Sequence, residues 1–323
     1  MTGAGGSIGS EITKQVSSFN PEKVILFDID ETALHDIGLK LNRLYPEWED
    51  KFYYVVGDIK DRERVYEIFE KYKPDIVFHA AAYKHVPMME YNPREAVKVN
   101  ILGSYNLAKA SIKNGVGEFI VISTDKAVNP TSVMGATKRV VEYICRAFNE
   151  HNITAFVSVR FGNVLGSRGS LLPILSEQLK QGGPLTVTYP EMKRYFMTIP
   201  EAVSLVLQAA TIGKPGEVLV LDMGEPVKII ELVEEFIRLH GLEPYKDIKI
   251  DIIGLRPGEK LFEELLTAEE GTISTRHERI FIAKISEKHS IGEIENLVKE
   301  FAAAKTDEEA IALLKKHVRS FIR

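Results

Sequence analysis

Four polar side chains, Ser123, Thr124, Asp125 and Lys126, stand together directly after the apolar run Phe-Ile-Val-Ile of residues 119–122. A run that short, apolar throughout and rich in β-branched residues reads as a strand buried on both faces. Ligands in an open α/β sheet bind beyond the carboxyl ends of such strands, so all four side chains are expected at the edge of a crevice. A carboxyl group and an amine side by side there form an acid–base pair. Eight residues beyond Lys126 a helical pattern begins, in which Met134 and Lys138 lie four apart and share a face. Strand, acid, base, helix and second lysine are the order that the rest of the chain has to position.

The second constellation lies at the start, where Gly3, Gly6 and Gly9 are spaced three apart around Ser7 and Ile8. Glycines allow a tight turn and close backbone approach, and the free N–H groups and dipole of a helix N-terminus attract anions, so a pyrophosphate suits this loop. By themselves three glycines are weak evidence, because surface loops are glycine-rich too. The short apolar run 24–27 ends in Asp28, about 20 residues on, where a carboxylate accepts hydrogen bonds from an adenosine ribose. Its negative charge would repel a 2′-phosphate and so favours NAD over NADP. Only Met1 and Thr2 precede the glycines, so the first strand of the unit looks truncated, and a longer natural chain is expected.

These two stretches ask for alternating strands and helices, and the chain supplies them. Residues 52–56 read as a strand ending beside Asp58 and Ile59, with Asp58 placed to meet an adenine amino group, and 61–72 as an amphipathic helix. The next strand, 76–79, runs into Ala80, Ala81 and Ala82, small enough for a cofactor to lie against the backbone, with Lys84 in the following loop. A helix over 93–114 carries Asn100, expected to fix neighbouring backbone at the cofactor site. Histidines 79 and 85 read as structural. Residues 155–160 are another buried strand. The fold class is therefore α/β, a Rossmann-type doubly wound parallel sheet with a smaller C-terminal α/β lobe. Residues 1–165 are expected to form the dinucleotide domain, with 195–222 returning to it, and 166–194 plus 223–323 the substrate lobe and C-terminal helices. The charged, amphipathic segments 291–304 and 307–318 read as helices with a solvated outer face.

Composition narrows the class. The 323 residues are 45% hydrophobic and 27% charged with a net charge of −5, an ordinary globular balance without a basic run suited to nucleic acid. One cysteine, Cys145, in a helical run, argues for a reducing compartment and against thiolate metal sites, and no metal is expected. No apolar segment approaches the ~20 residues needed to span a bilayer, which together suggests a cytoplasmic chain.

The stretches 2–9, 123–126 and 133–138 together resemble the extended short-chain dehydrogenase/reductases that act on nucleotide sugars. Residues 79–87, 123–128, 160–170 and 256–260 look most like the UDP-N-acetylglucosamine 4,6-dehydratases of polysaccharide and glycan synthesis, so the likeness covers nearly the whole chain. The Asp125-Lys126 pair is its specific element. One departure stands out: the tyrosine that usually precedes the active-site lysine by four residues is Met134, as in a subgroup of these dehydratases. A thioether cannot take a proton.

The resemblance implies an internal redox cycle on a UDP-sugar. NAD takes hydride from C4, Lys126 removes the acidified C5 proton, Asp125 protonates the departing C6 hydroxyl, and hydride returns to C6. It further implies that Lys138 holds the nicotinamide ribose, that Ser123 and Thr124 meet the sugar near C4, and that Asn163, Arg168, Arg194, Arg256 and Glu259 bind the nucleotide sugar. Relatives often associate, so a homo-oligomer is expected. Two rivals remain, a UDP-sugar 4-epimerase and a non-catalytic NAD-binding sensor.

Overall fold

A computed structural model describes residues 1–48, 50–266 and 270–322. Its central sheet runs, by hydrogen bonding, through the strands Phe52–Val56, Val24–Asp28, Ile76–His79, Glu118–Ile122, Ala155–Arg160, Val218–Leu221, Ile280–Ala283 and Thr272–Ser274. All pairings are parallel up to Val218–Leu221, and the last two strands join antiparallel. Two residues hold the centre: Thr2 bridges both Phe27 and His79. Its N–H donates to the Phe78 carbonyl at 3.0 Å and its own carbonyl accepts from Ala80 N–H at 3.1 Å. The gap expected from the short N-terminal stretch is thus filled by Met1 and Thr2, and the sheet stays continuous. The chain has the Rossmann-type α/β fold.

Residues 118–122, 155–160 and 218–221 are buried almost without alternation, as parallel strands covered on both faces must be. On one face lies the helix Val133–Phe148, capped by the Ser132 hydroxyl, which accepts from Gly135 N–H at 3.1 Å. It is buried along nearly its whole length because a second layer covers its outer side. That layer includes the helices Ile291–Ala303 and Asp307–His317. Ile294, Leu297, Val298, Phe301, Ala310 and Leu314 share one apolar cluster with Val133, Val140, Val141 and Phe148. The two helices keep the solvated outer face expected of them and bury the opposite face in this cluster. Their amphipathic period announces one buried face, and the sequence does not say against what.

A smaller lobe is built from the helices Leu171–Lys180 and Ile229–Leu239 and the parallel pair Leu185–Val187 and Ile250–Ile252, around Leu175, Leu185, Val187, Met192, Val233 and Ile237. Val218–Leu221 returns to the main sheet, and so do Ile280–Ala283 and Thr272–Ser274, so the sheet draws strands from both sides of residue 223. No described helix is long and apolar enough to cross a membrane.

Phe301 is 2% exposed in the shared cluster. Replacing it with alanine should cost about 3–5 kcal/mol by cavity formation, read as a lowered urea midpoint of the whole fold. A helix merely resting on the surface would leave that midpoint in place.

Candidate active site

The chain turns sharply after Ile122 into a short 3₁₀ turn, Asp125–Ala127, opened by Thr124, whose hydroxyl oxygen accepts from Lys126 N–H at 3.4 Å. The helix Val133–Phe148 presses against this turn. A Cβ on Gly135 would stand 2.1 Å from the Lys126 carbonyl oxygen, so only glycine allows the approach. Lys138 Nζ donates to the Ile122 carbonyl at 2.9 Å, which ties helix to strand end. A cavity of about 900 Å³ opens there, lined among others by Ser123, Thr124, Lys126, Met134, Lys138 and Asn163.

Asp125 is the exception. Its carboxyl is fully buried rather than facing the crevice, and Oδ2 lies beneath Gly162, where a Cβ would come within 3.3 Å of it. Oδ1 accepts from the Thr124 hydroxyl at 2.8 Å and from Lys126 Nζ at 2.9 Å. The strand-end position put all four side chains at one edge, but the 3₁₀ turn rotates the one acidic side chain among them inward. Asp125 therefore meets the cavity only through Thr124 and Lys126. Lys126 Nζ also reaches Asn163 Oδ1 at 3.3 Å and Glu263 Oε1 at 3.5 Å. Burial alone would push its ammonium down, but the carboxylates of Asp125 and Glu263 outweigh this and hold it above the ordinary lysine value. Glu263 escaped the sequence reading; it lies more than 130 positions from Lys126 and in no spaced pattern with it.

Ser123 lines the cavity with its proton turned away from it. Its hydroxyl donates at 2.6 Å to Glu142, a residue 1% exposed one helical turn past Lys138. The proton is directed away from the cavity, which leaves Ser123 oxygen lone pairs for an incoming donor. Glu142 is chelated by Arg160 at 2.7 Å through both oxygens, and Arg160 bonds Glu270 Oε2 at 2.8 Å, with Arg139 bonding Glu270 Oε1 at 2.8 Å. Met134, Lys138 and Glu142 recur every four residues, so the periodicity that exposed the first two could have flagged the third. Met134 is 2% exposed, packed at the cavity wall. Lys138, buried beside it, is pushed down to about 8 by desolvation, with Cys145 and Glu142 opposing.

The glycine loop lies on the other side of the sheet edge. Gly3 has φ +68°, and a Cβ there would meet Ala81 N at 2.6 Å. Helix Ser7–Ser17 begins at Gly6 with no side-chain cap, so its first N–H groups are open to an anion. Gly3, Gly6, Ala80 and Ala82 are shared between the large cavity and an adjoining one of about 210 Å³ that contains Asp28, Asp58, Ile59 and Ala81. Ser7, Ile8, Gly9 and Lys84 line the large one. A side-chain-free cradle under open N–H groups, ending at a carboxylate, fits a dinucleotide. Asp28 already accepts from Gly5 N–H at 2.8 Å and from Asp30 N–H at 3.0 Å, and Asp58 from Lys60 N–H at 2.8 Å. Asn100 lines neither cavity; its amide holds the Tyr83 backbone, accepting from N–H at 2.8 Å and donating to C=O at 3.0 Å.

Two arginines expected on the nucleotide sugar are engaged with the protein's own groups here. Arg168 bends over the glycine loop, its guanidinium donating to the Gly5 carbonyl at 2.6 Å and to Asp30 at 3.4 Å, while Lys84 Nζ donates to the Arg168 carbonyl at 2.9 Å. Arg194 lines the cavity but spends its N–H groups on the carbonyls of Lys193, Lys260 and Leu261. Arg256, Glu259 and Asn163 line the cavity as expected. Among the described residues no cluster of His, Cys, Asp or Glu could hold a metal ion.

A family model described as "Polysaccharide biosynthesis protein" matches residues 1–285. The chain belongs to that family. It is 52% identical over 286 residues to the capsular polysaccharide biosynthesis protein CapD of Staphylococcus aureus, covering 88% of this chain and 47% of that one, so the chain spans about half of its relative's length. A UDP-glucose 4-epimerase of Rickettsia bellii is 36% identical, covering 84% of this chain and 77% of that one. A UDP-N-acetylglucosamine 4,6-dehydratase (inverting) of Campylobacter jejuni is 34% identical, covering 87% and 80%. The crystal structure of Pen from Bacillus thuringiensis superposes with a TM-score of 0.79 at 35% identity, covering 98% of this chain and 95% of that one.

Glu270 gives this site its pH dependence. Burial would raise its carboxyl, but Arg160 and Arg139 bring it down to about 2. A carboxylate depressed in the folded state stabilises above its unfolded value of about 4.3, and that contribution is lost as pH falls through the folded value. Urea midpoints should therefore hold above roughly pH 5 and drop as pH falls from about 4.3 toward 2. Arg160→Met should cost about 3–5 kcal/mol at neutral pH by removing the chelating partner of buried Glu142 and leaving Glu270 to Arg139.

Proposed function

We propose that this chain carries the activity of an NAD-dependent nucleotide-sugar 4,6-dehydratase, with UDP-N-acetylglucosamine as substrate and a UDP-4-keto-6-deoxy-N-acetylhexosamine as product. The observation that carries this reading is Lys126 Nζ at the cavity wall, 2.9 Å from a buried carboxyl, beside Met134 where a tyrosine base would stand. A 4-epimerase needs no acid–base pair for elimination, so the pair favours the dehydratase, and the Campylobacter relative of that name supports it.

The glycine cradle, Asp28 and Ala80–Ala82 would hold NAD, which when bound supplies reversible hydride transfer at the sugar. Lys138 reaches the nicotinamide ribose, and its charge favours the alkoxide form of the C4 hydroxyl. Ser123, its own proton held by Glu142, accepts a hydrogen bond from a sugar hydroxyl. Asp125 and Lys126 share one exchangeable proton. With that proton on Asp125, the neutral amine of Lys126 takes the C5 proton. Asp125 gives its proton up through Thr124 or Lys126, the two cavity-lining groups it touches, and the C6 hydroxyl leaves as water. Lys126 then returns a proton to C5, and the proton lost from the C4 hydroxyl restores Asp125. Such acid–base assistance is typically worth roughly 10² to 10⁴ in rate per group. Arg256, Glu259 and Asn163 would meet the UDP-sugar.

Incubation with UDP-N-acetylglucosamine should yield a 4-keto product absorbing in alkali. Formation of UDP-N-acetylgalactosamine would mean an epimerase, and unchanged substrate a sensor. Lys126→Ala should cut solvent deuterium incorporation at C5 by about 10²-fold or more while NAD stays bound; incorporation at the wild-type rate would assign another base.

A further inference from the structure

The group that remains unexplained around Lys126 is Glu263. It comes from the C-terminal half of the chain and is placed by backbone pairing: Phe262 bridges Lys193, Lys193 N–H donates to the Leu261 carbonyl at 3.1 Å, and the Arg194 guanidinium clamps the Lys260 and Leu261 carbonyls. That pairing carries Glu263 inward, 8% exposed, to the Lys126 ammonium that Asp125 also contacts. Oε1 stands 3.5 Å from Lys126 Nζ and 3.9 Å from Arg194 Nε, and the buried Oε2 accepts no hydrogen bond from any described residue. A carboxylate oxygen kept out of water without a donor costs free energy.

We infer that Glu263 is a positioning residue for Lys126: with Asp125 it brackets the Nζ at the cavity wall, and its charge sets when the amine becomes free to accept a proton. The charged groups that face Lys126 are Asp125, Glu263 and Arg194, with Asn163 the neutral neighbour. Of these, Glu263 lies furthest along the chain, in the segment that pairs with Lys193–Arg194. The state of the reactive lysine is thereby tied to the seating of the 260–263 segment against Lys193–Arg194. That segment follows directly on Arg256 and Glu259 at the cavity rim. Occupancy of the rim and readiness of the amine share one piece of backbone.

This inference rests on reading Lys126 as the cavity base, but its test does not require turnover. The pH dependence of acylation of the Lys126 amine can be read peptide by peptide by mass spectrometry on the full chain, for the wild type, Glu263→Gln and Glu263→Asp. Removing a neighbouring negative charge favours the neutral amine, so Glu263→Gln should move the midpoint down by about one unit, a tenfold gain in reactivity at fixed pH below it. Glu263→Asp keeps the charge one methylene further back and should move it less, in the same direction. A midpoint unmoved in folded Glu263→Gln, or in Glu263→Asp should the first variant not fold, overturns the inference. Absence of a 4-keto product from the wild type would instead overturn the dehydratase reading, leaving the midpoints to decide this one.

Discussion

Charge taken out of water has to be answered by charge, and that requirement shapes the whole edge of the sheet where the cavity opens. Lys126 is bracketed by Asp125 and Glu263. Behind it Glu142, Arg160, Glu270 and Arg139 form a chain of ion pairs in which Arg160 is wholly buried. An isolated charge there would be driven to its neutral form, whereas a bracketed one keeps its proton until something displaces the balance. The site is therefore not a row of independent side chains. Ser123 is polarised by Glu142, and Thr124 and Lys126 both lean on the same oxygen of Asp125.

Proximity of elements makes these pairings possible. Helix Val133–Phe148 can press on the 125–127 turn because position 135 has no side chain, and the lysine one turn later then reaches the strand's last carbonyl. On the cofactor side the same device recurs at Gly3, which lets the loop lie against Ala81. Between the two sides runs the segment 166–170. Arg168 from this segment folds back over the glycine loop, where the Gly5 carbonyl and Asp30 give its planar donors two acceptors at once, and Lys84 holds its carbonyl, so the segment lines both cavities.

Much of the architecture was readable in the residues. Unbroken apolar runs announced the parallel strands, the glycine spacing announced the cradle, and the order acid, base, helix, lysine announced the cavity edge. Local pattern also carried its own error. Asp125 was placed at the mouth because strand ends face the crevice, yet one short turn rotates it under Gly162. Arg194, expected on the nucleotide sugar, lines the cavity while carbonyls of the 260–261 segment hold part of its guanidinium. For the amphipathic C-terminal helices, periodicity reported that one face is buried without naming its partner.

By itself the sequence determined which residues can hold a proton, which stretches must be strands, and where a backbone may come close, since these depend on side-chain type and local spacing. Only tertiary structure decided which charges meet. Glu263 reaches Lys126, and Glu270 reaches Arg160, across more than a hundred positions, by a chain path that no local period encodes. Coulomb interaction and desolvation depend on distance in space, and that distance exists only once the sheet, the pressed helix and the C-terminal segment have packed together.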